Sequence, residues 1–295
     1  MTTAAATVST RKRARESSWT IIARFFRDKP LGAAGAAVFF GMIIIALIGP
    51  WITPYDPLST DVMHRLQGPS WAHLMGTDEV GRDVVSRVIL GARVSAIVGI
   101  GATLVGTTVG AVIGVISGYV GGKVDMGIQR IMDMIMAFPG LVLAIAIMAV
   151  LGPSIINVIL AISIPSMPRA NRVIRSIAVS VKEFPYIEAA RAVGCRPWRI
   201  ILRHVIPNTL ASYLIVATSM LGAAILIEAS LSFLGLGIPP PHPSWGRSLS
   251  EAMQYMYKAP WLSIFPGLAI SMIVFAVNMF GDALRDVWDP RLKRL

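Results

Sequence analysis

A single cysteine, Cys195, is the whole thiol complement of this 295-residue chain, which excludes an internal disulfide and a thiolate-held metal cluster and fits a free thiol in a reducing compartment. The four histidines, His64, His73, His204 and His242, are scattered and show no His-x-x-x-His spacing, so no resident metal is expected. No Gly-x-x-x-x-Gly-Lys-Ser/Thr run is present, and with it the phosphate cradle of a P-loop ATPase is missing. Charge is scarce as well. Asp, Glu, Lys and Arg make up 15% of residues against 55% apolar ones, with a mean hydropathy of +0.66. That balance lies outside soluble domains and inside polytopic membrane proteins. Acidic residues number 16 against 27 Lys and Arg, a net charge of +11, but the cations sit in loops between apolar runs and offer no soluble face to nucleic-acid phosphates.

Long apolar runs are what the chain has in abundance. A membrane-spanning helix needs about 20 apolar residues, because every backbone N–H and C=O must find its partner within the segment. Six spans are expected: 31–49, ended by Pro50; 94–117; 134–151; 155–168, which is short and carries Pro165 and Pro168; 209–236; and 261–280. The fold class is therefore all-α and polytopic, with six transmembrane helices. The first run follows seven Lys/Arg residues, is too long for the apolar core of a cleavable leader and reads as an uncleaved span. With six spans, one side collects the N-terminus, the turn near Gly121, the 169–208 loop and the C-terminus, which hold 7, 2, 8 and 4 Lys/Arg; the opposite segments 50–93 and 237–260 hold 4 and 2. The positive-inside rule then makes both termini and the 169–208 loop cytoplasmic. Without the fourth span, the most basic loop would fall outside.

The organisation expected is a basic cytoplasmic segment 1–30, a first span with an extracytoplasmic segment over 31–93, a transmembrane core over 94–284 that includes the 169–208 loop, and a cytoplasmic tail 285–295. Within the second span Ala102, Gly106, Gly110, Gly114 and Gly118 recur every four residues and lay a strip of small side chains along one helix face. Such strips generally pack helices within one subunit; a seam between subunits is the alternative.

The 169–208 loop has a logic of its own. Phe184-Pro185 starts a helix, Gly194 stands where a left-handed C-cap is usual, and Pro197 opens a second helix at its first turn. Trp198, Ile201, Leu202 and Val205 share one face of that second helix, as expected of a helix lying on the membrane surface, while the Ala-rich helix around Glu188 is left free to enter a groove on another protein.

At these residues the chain resembles the permease subunits of ABC importers, whose signature is Glu-Ala-Ala, three residues, Gly, nine residues and a hydrophobic-Pro end. Glu188, Ala189, Ala190, Gly194 and Pro207 stand at that spacing, with His204-Val205-Ile206 where the family often has Ile-x-Leu. The resemblance extends over most of the chain. The segment from His73 through Gly76-Thr77-Asp78 to Arg87, then Gly91-Ala92-Arg93, is similar to dipeptide, oligopeptide and nickel permeases, as are Leu231 to Gly237 with Pro240 and Trp245-Gly246, and Asn278 to Asp286 with Asp289-Pro290. Together they resemble the second, C-type permease of that family, with a type I importer fold. The resemblance implies a multi-pass protein of a bacterial inner membrane that is half of a pore formed with a homologous second permease. It also implies two partner ATPase subunits, which bind the ATP and Mg²⁺, and an extracytoplasmic substrate-binding protein. Glu188 to Gly194 would be the coupling helix. No catalytic residue and no cofactor is expected in this subunit.

Charged groups at membrane depth are costly and face protein or water. Glu228, inside the fifth span, and Asn278, inside the sixth, are candidates either to line the pathway or to make a structural hydrogen bond. Arg130 with Asp133, and Asp282 with Arg285, stand three apart and are expected to pair. The stiff Pro239 to Trp245 stretch, with 54–93, is where a binding protein would dock, unless both are merely solvated loops. The function expected is import of di- or oligopeptides or peptide-like solutes. Nickel import by the same kind of permease is one alternative. An ion-coupled secondary transporter using Glu228 is another, although that class leaves the Glu188 loop unexplained. An integral-membrane enzyme would need acid, base or metal groups clustered at one depth, and the sequence offers none.

Overall fold

The computed structural model describes Arg27 and residues 29–288; the remainder of segment 1–30 and residues 289–295 of the tail lie outside the described residues. Among the described residues the chain is helical, with no strand beyond one isolated bridge between Thr77 and Asp83. The helices are α1 (Pro30–Ile52), α2 (Val84–Val120), α3 (Gly122–Met136), α4 (Gly140–Leu151), α5 (Ile155–Lys182), α6 (Pro185–Ala192), α7 (Pro197–Ile200), α8 (Ile206–Phe233), α9 (Trp245–Ala252) and α10 (Trp261–Trp288). A five-residue π-turn, Ile201–Val205, joins α7 to α8. Asp83, Ser154 and Ser244 cap α2, α5 and α9, each accepting the backbone N–H three residues on.

Two of the buried apolar clusters join the long helices. Phe39 and Met42 of α1, Ala92 and Ala96 of α2, Ile225 of α8 and Ile273 of α10 form one. Val98 of α2, Met148 of α4, Val158 and Ile162 of α5 and Leu231 of α8 form the other. Glycine contacts give the relative directions. Along α2, Gly106, Gly110, Gly114 and Gly118 lie against Ser163, Met167, Asn171 and Arg175 of α5, both series advancing in steps of four, so α2 and α5 run parallel. Gly99 against Ile225, and Ser95 bonded to Glu228, make α8 antiparallel to α2. Gly222 against Asn278 with Gly281 against Thr218 makes α10 antiparallel to α8, and Gly32 against Ala283 with Gly35 against Ala276 makes α1 antiparallel to α10. The start of α1, the α2–α3 corner, α6 and the end of α10 therefore share one end of the bundle, where Lys29 pairs with Asp286 at 2.6 Å. The small-residue strip is packing within the subunit.

Several expected boundaries are corrected. Among the described residues four helices are long and apolar enough to cross a membrane: α1, α2, the stretch Pro197–Phe233 and α10. The expected third span, 134–151, is not one straight helix; Pro139 lacks an N–H and breaks it, and α3 meets α4 at 89°. Counted together, that bent pair is a fifth span. The expected fourth span fails the same test because α5 continues past Pro168 into Arg169, Arg172, Arg175 and Lys182, so the count of six is not met on length and composition alone. At 28 residues α5 is nonetheless about 42 Å long, beyond the hydrocarbon thickness. Residues 169–182 of the expected loop are thus helix. Pro165 and Pro168 stay inside α5, where Ser163 Oγ donates to the carbonyls of Ile159 and Ala102, and Ser166 Oγ to that of Ser163. Pro50 likewise lies within α1.

Candidate functional site

The site grows out of the end of α5. Phe184 is extended, Pro185 supplies the fixed φ of a first helical position, and α6 follows with Glu188 in its first turn, where a negative charge complements the helix dipole. Ile187 is fully buried and anchors this short helix to the bundle, leaving Glu188 and Ala189 exposed and Ala190 half-buried. Gly194, at φ +78°, ends α6 in a Schellman motif: Cys195 N–H donates to the carbonyl of Ala190 at 3.0 Å and Gly194 N–H to that of Arg191 at 2.9 Å. Nothing crowds Gly194, so its glycine is required by backbone conformation alone.

The second helix departs from expectation. Pro197 does open α7, but α7 runs through the π-turn directly into α8, and no separate helix lies on the surface. Pro207 explains the π-turn. It has no N–H, its ring crowds the carbonyl of Arg203, and the helix widens, with Ile206 N–H bonding five residues back to Ile201. The Asn208 amide donates to the carbonyl of His204 at 2.6 Å and reaches the Tyr186 hydroxyl at 3.3 Å, while the His204 and Tyr186 rings lie 5.8 Å apart. The Trp198 face is divided accordingly: Val205 is buried, whereas Trp198, Ile201 and Leu202 line an apolar groove of about 650 Å³ with Val112 and Ile116 of α2 and Tyr213 of α8.

Beside α6, the Arg191 guanidinium lies over the Tyr119 ring, 5.3 Å from its centroid, at the end of α2. At the adjoining corner, Asp125 of α3 takes Arg175 of α5 in two bonds, at 2.6 and 2.5 Å, and accepts from Ser117 of α2. Gln129 donates to Ser117 and to Asn171. Asp133 pairs with Arg172 across the helices at 2.7 Å and not with Arg130, and the pair formed near Asp282 and Arg285 is instead Lys29 with Asp286. Sequence reasoning missed Tyr119, Tyr186 and Asn208. Only the proximity of Asn208 to Pro207 was a local signal.

The opposite end carries the other motif residues. The strap from Thr53 to Asp83 folds over the ends of α2, α9 and α10. Arg82 bonds Asp78 at 2.6 Å and Glu79 at 3.0 Å, and Arg87 and Arg247 both meet Glu251, at 3.0 and 2.9 Å. Burial pushes the Glu79 carboxyl up, Asp78 and Glu251 add to the rise, and Arg82 opposes it. Gly91 lies under the Trp245 ring, whose Nε1–H donates to the carbonyl of Val88 at 2.8 Å, and Gly246 sits against the backbone of Ala229. A groove of about 540 Å³ between Tyr55, Asp56, Pro57 and Leu90 on one side and Pro241, His242 and Pro243 on the other brings together the two segments expected to receive a binding protein.

Glu228 has no accessible surface; Ser95 Oγ donates to one carboxyl oxygen at 3.0 Å and Ser232 Oγ to the other at 2.8 Å. Asn278 is exposed and stands against Gly222 of α8. Among the described residues, no group of three or more His, Cys, Asp or Glu is placed to hold a metal ion.

A bundle of long apolar helices with a capped polar helix at one end and a strap folded over the other has the architecture of a multi-pass membrane protein. Residues 106–294 match the family described as binding-protein-dependent transport system inner membrane component, and residues 17–69 match the N-terminal transmembrane domain of oligopeptide transport permease C. The chain is 42% identical over 281 residues to the dipeptide transport system permease protein DppC of Alkalihalophilus pseudofirmus, covering 94% of this chain and 91% of that one. It is 45% identical over 276 residues to the glutathione transport system permease protein GsiD of Shigella flexneri, covering 93% and 91%. A putative peptide transport system permease protein of Brucella suis is 43% identical over 259 residues, covering 88% and 87%. The chain belongs to the binding-protein-dependent inner-membrane permeases of ABC importers, in their C-type branch.

Proposed function

We propose that this permease imports di- or oligopeptides or peptide-like solutes as one half of a pore completed by a homologous second permease. The dipeptide, glutathione and peptide transport functions for which its relatives are named support that substrate class. Two ATPase subunits bind ATP and Mg²⁺, and an extracytoplasmic binding protein delivers the solute; this subunit performs no catalysis and carries no cofactor. Both termini and α6 face the cytoplasm, a reading supported by the Lys/Arg distribution and by the helix directions that bring the start of α1, the end of α10 and α6 to one end.

In this reading α6 is the coupling helix. Glu188, Ala189 and Ala190 enter a cleft on an ATPase subunit, Gly194 fixes the corner behind them, and Pro207 sets the π-turn through which α8 is moved. Closure of the ATPase pair pushes α6 and tilts α5 and α8, which switches the pore between its outward and inward openings. The observation that carries the assignment is α6 itself: anchored by buried Ile187, closed by the Gly194 cap and exposed at Glu188 and Ala189. Glu228, enclosed by two serine hydroxyls, ties α2 to α8 and lies off the pathway.

The test is to purify the tagged subunit from its native membranes in mild detergent and identify what accompanies it. A second permease and ATPase subunits are expected, and Glu188→Arg is expected to leave membrane insertion intact while uncoupling uptake from ATP hydrolysis. Recovery of the chain alone, where a control importer stays assembled, or wild-type uptake by Glu188→Arg, overturns the reading.

A further inference from the structure

The chain attaches α6 to α5 on one side and, through α7 and the π-turn, to α8 on the other. It has no covalent link nearby to α2, the 37-residue helix that runs the full depth of the bundle against α5. A side-chain contact between Arg191 and Tyr119 bridges that gap. Arg191, in the last turn of α6, lies over the ring of Tyr119, the penultimate residue of α2. Tyr119 packs at the rim of an apolar cluster made by Val115 of α2, Ile174, Ala178 and Val181 of α5, and Val205 of the π-turn, so its ring stands between α6 and the three segments an α6 movement would have to reach.

Beyond Tyr119 the chain turns sharply at Gly121 and Gly122, both at positive φ, and enters α3. The Asp125, Ser117, Gln129, Asn171 and Arg175 network binds the end of α2, the start of α3 and the middle of α5 into one block. The block is held by charge-assisted bonds in fixed geometry, whereas its side-chain link to α6 is a ring face under a guanidinium. Such a contact bears on a broad surface and tolerates sliding, which a directional hydrogen bond does not.

We propose that Arg191 and Tyr119 are positioning residues for transport, transmitting displacement of α6 to the α2–α3 corner, so that α2 and the bent α3–α4 pair move with α5 and α8. The proposal rests on the reading of α6 as the helix seated in the ATPase. The Tyr119 hydroxyl has no part in it; the ring face does.

The experiment uses the assembled importer, with its second permease, ATPases and binding protein, reconstituted in vesicles, and measures three things for each variant: ATPase subunits retained on purification, ATP hydrolysis, and solute uptake per ATP hydrolysed. Tyr119→Leu, which keeps apolar bulk, and Arg191→Ala are each expected to retain the ATPases and hydrolyse ATP while uptake per ATP falls about tenfold, within the range of coupling effects single contacts carry. The double variant is expected to match the single ones, and Tyr119→Phe is expected to restore the wild-type ratio. Unchanged uptake per ATP in Tyr119→Leu, or a Tyr119→Phe variant as impaired as Tyr119→Leu, overturns the proposal. Loss of ATPase subunits from Arg191→Ala with Tyr119→Leu neutral also overturns it, since Arg191 is then a docking residue. If Glu188→Arg keeps both assembly and coupling, the reading of α6 itself has failed, which is a separate result.

Discussion

Gly110 of α2 lies so close to α5 that a Cβ on it would stand 2.4 Å from the carbonyl oxygen of Met167. Backbone carbonyls of α5 come similarly near at Gly106, Gly114 and Gly118, at 2.9, 2.6 and 2.7 Å from such a Cβ, so the two helix backbones meet at four successive points with only small side chains such as Ser166 and Ala178 beside them. Backbone cannot give way as a flexible side chain does. Gly110→Leu is therefore expected to destabilise the assembled protein by at least about 2 kcal/mol, whereas Gly41→Ala, at an uncrowded position in α1, is expected to be neutral or stabilising by up to about 1 kcal/mol. Thermal unfolding of the detergent-solubilised importer distinguishes the two; equal melting shifts would refute the packing account.

At the opposite end, Arg87 is almost fully buried and meets the carboxylates of Glu251 at 3.0 Å and Asp78 at 3.6 Å. Removing the guanidinium leaves both carboxylates without this cation. Arg87→Ala is expected to cost about 3 kcal/mol, and Glu251→Gln, which keeps an acceptor, about 1 kcal/mol. Limited proteolysis of the 53–83 strap checks the order: Arg87→Ala should be cut fastest, and resistance equal to the native protein would contradict the assignment.

The pH dependence of that strap follows from Glu79, whose carboxyl is pushed above its ordinary value of 4.5 by burial. A carboxyl raised in the folded state holds its proton more tightly there than when unfolded, so its contribution to stability is complete below the ordinary value and is lost as pH rises through the raised one. Subtracting the stability of Glu79→Gln from that of the native protein should therefore give a difference that declines with increasing pH just above 4.5. A difference that grows over that interval would mean the carboxyl is depressed.

What the sequence made legible was local. Four-residue glycine spacing announced the α2 strip because one helix face is read from one stretch of chain, and Gly194 announced the end of α6 because a left-handed cap needs no distant partner. Pro165 and Pro168 misled in the other direction, since the serines that sustain α5 through them, and the parallel run of α2 beside it, are tertiary facts. Pro139 lay hidden in a continuous apolar run that hydropathy alone does not interrupt. The strap motif was visible as residues, but its meaning, Arg87 against Glu251 and Trp245 over Gly91, joins positions far apart in sequence. The Glu188 loop was legible as a unit, while Tyr119, which sits beneath it, belongs to another helix entirely.

Gly194 separates backbone from side chain as the source of function in that loop. Its φ of +78° suits glycine, and asparagine adopts that region more readily than other residues, while a β-branched residue does not. Gly194→Asn is expected to keep near-native uptake, and Gly194→Val to lose the cap at about 1 to 2 kcal/mol and uncouple uptake from ATP hydrolysis while remaining inserted. If Gly194→Val transports normally, the rigid corner is not needed.

Glu228 tests the reading against a different class of transporter. In an ion-coupled carrier a carboxylate at this depth would exchange its proton or cation in every cycle, and the neutral amide would abolish uptake. Here both carboxyl oxygens are occupied by Ser95 and Ser232 in a site closed to solvent, on two helices that also pack through Gly99 and Ile225. Glutamine preserves the volume, with one acceptor and one donor for two hydroxyls that can turn to suit. Glu228→Gln is therefore expected to retain uptake within about threefold, a cost near 0.6 kcal/mol, and to remain insensitive to collapse of the ion gradient. Glu228→Lys, which buries an ammonium between the same hydroxyls, is expected to prevent stable assembly. Abolished uptake in the assembled Glu228→Gln importer, or uptake that follows the ion gradient, would move the carboxylate from the frame of the protein into its transport cycle.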